Sequence, residues 1–241
     1  MNSICGQWTK VLSSHGQVNK NKRESIFDQF TNSEDPCVLI CTDVFARGVD
    51  FPNVNWVIQF DIPQNAENFV HRCGRTARAD KSGNSVVFLM PSEMDYITFL
   101  KINQNVKTLE KLTITPPDHT GTKSLVRLCK RDRRMVELGT RAFVSFVQAY
   151  SKHEQNVLIK TRDLDFGMLA TGYVLFQMPR MPELREKKDD NFICKFGKTI
   201  LEDIPFADKS IRKNREKRME ELRLEKIKAR DEGKTHGYSW D

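Results

Sequence analysis

What most constrains this chain is the alternation, between residues 20 and 103, of short β-favouring runs with helix-periodic segments. Cys37-Val-Leu-Ile-Cys-Thr42 is an unbroken run behind the punctuation of Asp35-Pro36, and Trp56-Val-Ile-Gln-Phe60 is a second. Ser85-Val-Val-Phe-Leu-Met90 is a third, entered from the turn Lys81-Ser-Gly-Asn84. Helical spacing predicts a helix over Lys20–Thr31 with Ile26, Phe27 and Phe30 on one face, and another over Asn65–Cys73 with Phe69, Val70 and Cys73 turned inward. A further helix is predicted over Glu93–Asn103, capped by Ser92, with Tyr96, Ile97 and Leu100 together. The run 37–42 is apolar at successive positions, which fits a parallel strand covered on both faces. Strand alternating with helix in this way predicts an α/β fold, an open parallel sheet with helices on both faces. Val11–Ser14 is a short apolar stretch that His15-Gly16 breaks.

The alternation stops near Leu112, and Pro116-Pro117 with His119-Thr-Gly-Thr marks a linker. Beyond it, 124–140, 141–151 and 164–175 carry helical periodicity, with Phe143, Phe146, Val147 and Tyr150 as a core stripe. Met178-Pro-Arg-Met-Pro182 closes this module in an extended conformation, because each proline disfavours helix at the residue before it. Ile211–Arg230 is dense in Lys, Arg and Glu around sparse Met219, Leu222, Leu224 and Ile227, and reads as an exposed helix or one formed on contact with a partner. The expected organisation is a domain over 1–112, a linker at 113–123, a helical extension over 124–184 and a basic charged tail over 185–241. An apolar content of 39% against 29% charged residues agrees with a folded core plus a charged segment. A net charge of +7 suits a polyanionic partner without distinguishing RNA, DNA and acidic protein. None of the six cysteines forms a C-x-x-C pair, and no histidine spacing completes a zinc site, so reduced thiols and no protein-held metal are expected. Cys37 and Cys41 share a strand face without bridging. No apolar stretch approaches the roughly 20 residues that span a bilayer, and the start has no signal-peptide core, so an intracellular protein away from membranes is predicted.

Chemistry concentrates in two stretches. In His71-Arg-Cys-Gly-Arg-Thr-Ala-Arg78, Arg75 and Arg78 are three apart and, on a helical turn, point the same way. Two guanidiniums on one side can clamp a phosphate, and Gly74 would let it approach the backbone. Thr42-Asp-Val-Phe-Ala-Arg-Gly-Val-Asp50 begins where the first run ends, which is where open α/β sheets place ligands. There Thr42 can donate to a phosphate, Gly48 permits a tight turn and Asp50 can accept from a sugar hydroxyl.

Together these stretches resemble motifs V and VI of the DEAD-box RNA helicases: 42–50 is similar to motif V, 57–63 to the segment after it and 71–78 to motif VI. His71 stands where related superfamily 2 enzymes usually carry Gln. The resemblance implies a second RecA-like domain, with Arg75 and Arg78 as arginine fingers that reach the γ-phosphate of ATP. It implies that Gly48 and Asp50 also contact nucleotide, that Thr42 holds an RNA phosphate, and that Asp43, Arg47, His71 and Arg72 brace the motifs. Ser14-His-Gly16 followed by Arg23 resembles the segment that clamps RNA backbone; the family usually has Gln where this chain has Lys20, so Gly16 and Arg23 carry that expectation. RNA gripped by phosphate and sugar is bound with little sequence preference.

The stretches 141–153, 164–166 and 178–184 resemble the helical extension that follows some DEAD-box cores, and Asp203-Ile-Pro-Phe-Ala-Asp-Lys209 resembles a branch acting in large ribosomal subunit assembly. That implies rRNA in pre-ribosomal particles and assembly-factor proteins as partners, no obligate homo-oligomer, and a nucleolar location. A G-x-x-x-x-G-K-[ST] loop, an Asp-Glu-Ala-Asp and a Ser-Ala-Thr are not in the sequence. The expectation is therefore a C-terminal half without the first RecA-like domain, whose missing residues would hold the Mg²⁺ of Mg-ATP, and a chain inactive alone. The alternatives are a non-catalytic RNA-binding module, or a helicase of translation or mRNA export; the extension counts against the last.

Overall fold

A computed structural model describes residues 10–43, 51, 54–78, 81–106, 108–113, 120–185, 192–197 and 199–231. Parallel strands flanked by helices, followed by a small helical extension, form the architecture that the sequence predicts. In chain order the elements are β1 (Lys10–Ser14), α1 (Lys20–Thr31), β2 (Cys37–Cys41), β3 (Trp56–Gln59), α2 (Ala66–Cys73), β4 (Asn84–Val87), α3 (Asp95–Asn103), α4 (Thr120–Arg131), α5 (Arg133–Ser151), α6 (Phe166–Gly172) and α7 (Lys209–Asp231). The short apolar stretch before His15 is thus a strand. β1 pairs in parallel with β2, from Lys10↔Cys37 to Ser14↔Cys41. β3 pairs in parallel with β4, from Trp56↔Asn84 to Gln59↔Val87.

The chain divides into two compact units. The first comprises Met1–Gly121, Ser145–Asp165 and Met181–Lys188. Its α1 starts at Asn19, whose side chain accepts from the Lys22 amide, and its α2 starts at Asn65, which caps Asn68 in the same way. Ala66 and Phe69 of α2 pack with Tyr96 and Leu100 of α3 in a buried cluster that β4 joins through Val87. Phe51 is buried against the edges of Phe27 and Phe30, with ring centroids 5.2 and 5.7 Å away, which ties the segment after β2 to α1.

Three local expectations are corrected. The strand at 37–42 is not covered on both faces: Val38 and Ile40 are exposed while Cys37 and Leu39 are half-buried, the two-residue period of a strand with one face packed. β3 repeats this, with Trp56 and Ile58 exposed, Ile58 at 62%. Val70, expected inward, is 41% exposed, because the inward stripe of α2 runs through Ala66, Phe69 and Cys73 instead. Ser92 does not cap α3: a 3₁₀ turn over Pro91–Glu93 intervenes, and Glu93 Oε2 accepts from the Met90 amide at 2.7 Å.

The second unit comprises Thr122–Val144, Phe166–Arg180 and Asp189–Asp241. The helical segment expected over 124–140 breaks at Asp132, which lies between α4 and α5. Its Oδ1 accepts from the Arg134 amide at 3.0 Å and from the Ala207 amide at 3.3 Å, while the Arg133 amide donates to the Pro205 carbonyl at 2.8 Å. Asp132 thus satisfies one opening donor of α5 locally, and the distant Pro205 carbonyl satisfies another, a partner that helical periodicity does not encode. Cys129, Val136, Val174, Phe176 and Ile204 form the buried centre. Val174, at φ +55°, ends the last helical stretch, expected to run to 175. Phe206 lies beneath the guanidiniums of Arg133 and Arg215, and Arg215 also reaches Glu137 at 2.7 Å, which fastens the start of α7.

Candidate functional site

Two groups of side chains answer to the sequence motifs, both in the first unit. The first sits where β1 and β2 end. Ser14 and Cys41 are partners in the parallel register, so the turn His15–Val18 and Thr42 leave the sheet at the same end. Gly16 in that turn is exposed, and a Cβ there would meet nothing within 4 Å. Thr42 is exposed and Arg23, in the first turns of α1, is half-buried. Lys20 is exposed and pairs loosely with Glu24 at 3.9 Å. The parallel register therefore brings Gly16 and Thr42 to one edge.

The second group is built on α2. Arg72 Nε donates to Asp43 Oδ1 at 2.6 Å and its Nη2 to Asp43 Oδ2 at 2.8 Å, a two-pronged fork that holds both groups in plane. Its Nη1 donates to the Asp61 carbonyl at 2.9 Å. One guanidinium thus joins the end of β2, the end of β3 and α2. His71 is half-buried beside it; its carbonyl accepts from Arg75 Nε at 3.0 Å, and its Nδ1 has no hydrogen-bond partner among the described residues. Arg47, Gly48 and Asp50 lie outside the described residues.

α2 ends at Gly74, and the chain turns through Arg75 and Thr76 before Ala77 takes a left-handed φ of +55°. The helical turn imagined for Arg75 and Arg78 is therefore interrupted. Even so both line one cleft of about 280 Å³, with Phe51, Asn55 and Lys81 on its walls. Arg78 Nε donates to the Gly74 carbonyl at 2.7 Å, which orients its guanidinium. Thr76 is buried and its hydroxyl donates to the Val54 carbonyl, anchoring the turn from below. A residue that motif reading passes over is Gly83. A Cβ there would collide with the Thr76 hydroxyl and stand 2.6 Å from the Ala77 amide, so only glycine lets the segment before β4 lie against this turn. Gln59, buried in β3, donates through Nε2 to Cys73 Sγ at 3.3 Å.

Burial shapes the acidities here. Burial raises the Asp61 carboxyl above its ordinary value against the opposing pull of Arg72. The Cys41 and Cys73 thiols are pushed up from their ordinary value, burial being the largest cause. Tyr96 is pushed up to about 12 by the same cause. Among the described residues no group of three or more His, Cys, Asp or Glu side chains could hold a metal ion. Among them, too, no helix is long and apolar enough to cross a membrane.

A strand-end threonine, an arginine fork and an arginine-lined cleft lie on parallel strands that form two two-stranded sheets. Residues 3–80 match the helicase conserved C-terminal domain, and residues 132–181 match the C-terminal extension of the ATP-dependent rRNA helicase SPB4-like type. The chain is homologous to the C-terminal helicase domain and extension of DEAD-box RNA helicases of the DDX55 type. It is 46% identical over 219 residues to the ATP-dependent RNA helicase DDX55 of Homo sapiens, covering 90% of this chain and 35% of that protein. To the DDX55 of Xenopus laevis it is 44% identical, covering 94% of this chain and 37% of the relative. Among solved structures, domain 2 of the DEAD-box helicase Mss116p bound to an RNA duplex matches with a TM-score of 0.58 at 29% identity, over 68% of this chain and 62% of that one. Mss116 bound to ssRNA and UDP-BeF matches with a TM-score of 0.60 at 28% identity, over 71% and 33%. The chain spans little more than a third of the length of these DDX55 relatives.

Proposed function

We propose that these residues form the RNA-gripping, arginine-finger half of an ATP-dependent RNA helicase that remodels rRNA during large ribosomal subunit assembly in the nucleolus. The observation that carries this reading is the Arg72–Asp43 fork. Asp43 directly follows Thr42, and Arg72 sits on the helix that delivers Arg75 and Arg78, so RNA held at the strand ends is mechanically tied to the phosphate-facing cleft. In this mechanism Gly16, Arg23 and Thr42 hold RNA phosphates, with Arg23 supplying charge and Thr42 a hydroxyl donor. Gly48 and Asp50 meet the nucleotide. Arg75 and Arg78 stabilise charge as it develops on the transferring phosphoryl group. The phosphate cradle and the ligands of Mg²⁺ come from an ATP-binding domain. Assembly-factor proteins are the partners that the DDX55 and SPB4-like likenesses favour.

Adding an ATP-binding domain of the same family and measuring RNA-stimulated ATP turnover tests this. Arg75→Ala or Arg78→Ala should cut turnover by about 10³-fold while RNA binding persists; undiminished turnover would sink the arginine-finger assignment. The 241 residues alone should hydrolyse no ATP. A second reading is a non-catalytic RNA-binding module. RNA titrations at several salt concentrations separate the two: nucleotide-independent binding that ignores Arg75→Ala favours the module.

A further inference from the structure

Arg75 and Arg78 are each tied to the end of α2: Arg75 Nε donates to the His71 carbonyl at 3.0 Å, and Arg78 Nε to the Gly74 carbonyl at 2.7 Å. What sets one guanidinium relative to the other is therefore the backbone between them, Thr76 and Ala77. Up to Thr76 that backbone keeps a helical turn. The Arg75 amide donates to the Arg72 carbonyl at 3.0 Å and the Thr76 amide to the Cys73 carbonyl at 3.2 Å. Ala77 then breaks the turn at φ +55°, a conformation that a residue with a Cβ keeps only where its surroundings impose it. Thr76 connects the turn to those surroundings. It is buried, and its hydroxyl donates to the Val54 carbonyl at the entry to β3. That entry is fixed in turn, because the next carbonyl, of Asn55, accepts from the Asn84 amide at 2.9 Å where the register of β3 and β4 begins. Gly83 abuts the Thr76 hydroxyl and the Ala77 amide so closely that a Cβ there would collide with both. Val54, Thr76 and Ala77 line the same cleft as the two arginines.

We propose that Thr76 is a positioning residue for the ATPase: its hydroxyl latches the turn to the entry of β3, holds Ala77 left-handed and so aims Arg75 and Arg78 into one cleft. The hydroxyl has a single proton, and the Val54 carbonyl takes it, so Thr76 has none to offer a phosphate. Its effect passes through the two arginines instead. Charge that develops in a transition state is stabilised by groups already in place, and an arginine whose backbone can relax loses that aim. The sheet thereby acts on the arginines by a route separate from the Arg72–Asp43 fork, which ends at Arg72. This inference rests on the function proposed above.

The test compares Thr76→Val, which keeps the branched shape and loses the donor, with Thr76→Ser, which keeps the donor. In the 241-residue chain the Nε–H resonances of Arg75 and Arg78 and the Ala77 amide are followed by NMR, with urea unfolding as the control for stability. With an added ATP-binding domain, kcat and the KM for RNA are measured separately. Thr76→Val should shift all three resonances and lower kcat about ten-fold, the rate equivalent of one hydrogen bond lost at a buried group, with the KM for RNA within about two-fold. Thr76→Ser should recover most of both. In an Ala77→Gly background the Thr76→Val penalty should shrink to about three-fold, since glycine takes a positive φ unaided and contacting positions are not additive. A Thr76→Val chain that loses stability but keeps the arginine resonances overturns the proposal, as does an equal kcat penalty in both backgrounds. If the combined wild-type domains show no ATP turnover, the function proposed above fails, while the arginine resonances still decide the latch.

Discussion

The two units bury their apolar residues in different ways. In the second, Val136 of α5, Val174 and Phe176 beyond α6, and Ile204 from the segment before α7 converge on one centre, and Phe143 has no exposure at all. In the first, α2 and α3 close a comparable cluster, but the strands do not: Trp56, Ile58 and Phe60 remain exposed, Phe60 at 73%. A helix has one apolar stripe and is satisfied by neighbours on one side. A strand has two faces, and covering one says nothing about the other. The difference explains why Phe60 and Phe88, whose rings meet edge to face at 6.2 Å, interact with each other while both stay in contact with solvent.

Substitutions at matched apolar positions put this contrast at risk. Phe143→Ala should destabilise the second unit by about 3–5 kcal/mol, since a fully buried ring leaves a cavity that its T-shaped partner Tyr173 cannot fill. Urea or thermal unfolding measures it. A loss below about 1 kcal/mol would mean that the helical core is looser than its packing indicates. Next in size come the glycines at close approaches. A Cβ at Gly139 would stand 2.8 Å from the Tyr173 carbonyl, so Gly139→Ala should cost roughly 1–3 kcal/mol despite alanine's better helix propensity. Gly83→Ala should cost a similar roughly 1–3 kcal/mol in the first unit and also displace the Thr76–Arg78 turn, visible as weakened ATP turnover once the ATP-binding domain is supplied.

A smaller effect is a pH slope. Burial raises the Glu93 carboxyl above its ordinary value of 4.5, and the nearby Asp61 pushes it the same way. The folded first unit therefore holds a proton that the unfolded chain releases. The stability that Glu93 contributes is full below pH 4.5 and is lost as pH rises through the raised value. Glu93→Gln should flatten that slope in unfolding measurements between pH 4 and 7, approximate limits chosen to bracket carboxyl titration. An unchanged slope would show that Glu93 is not the group responsible. Smallest of all, Ile58→Ser should move stability by no more than about 0.5 kcal/mol while improving solubility, as expected of an exposed apolar residue. A large loss there would erase the contrast between the units.

Much of the site can be read before any coordinates. Thr42, Asp43, Arg72, Arg75 and Arg78 sit in runs whose residue types are demanded by phosphate and carboxylate chemistry, and local spacing preserves them. What local reading overlooks has a common character. Gly83 matters because of Thr76, and Asp132 because of Ala207. Each is one half of a contact whose other half is remote in sequence, so neither periodicity nor propensity carries a trace of it. Val70 faces outward for a related reason: on a short helix several apolar residues compete for one inward stripe, and the neighbour decides which of them wins.

From the sequence alone follow the alternation of strand and helix, the positions where chemistry-bearing residues gather, and the helical character of the extension. These are properties of neighbouring residues along one chain. Tertiary structure alone decided which strand face was covered, where α4 gave way to α5, and how one guanidinium came to tie the ends of β2 and β3 to α2. Those outcomes depend on which distant groups arrive to satisfy a buried donor or cover an apolar side chain, and only the folded chain brings them within reach.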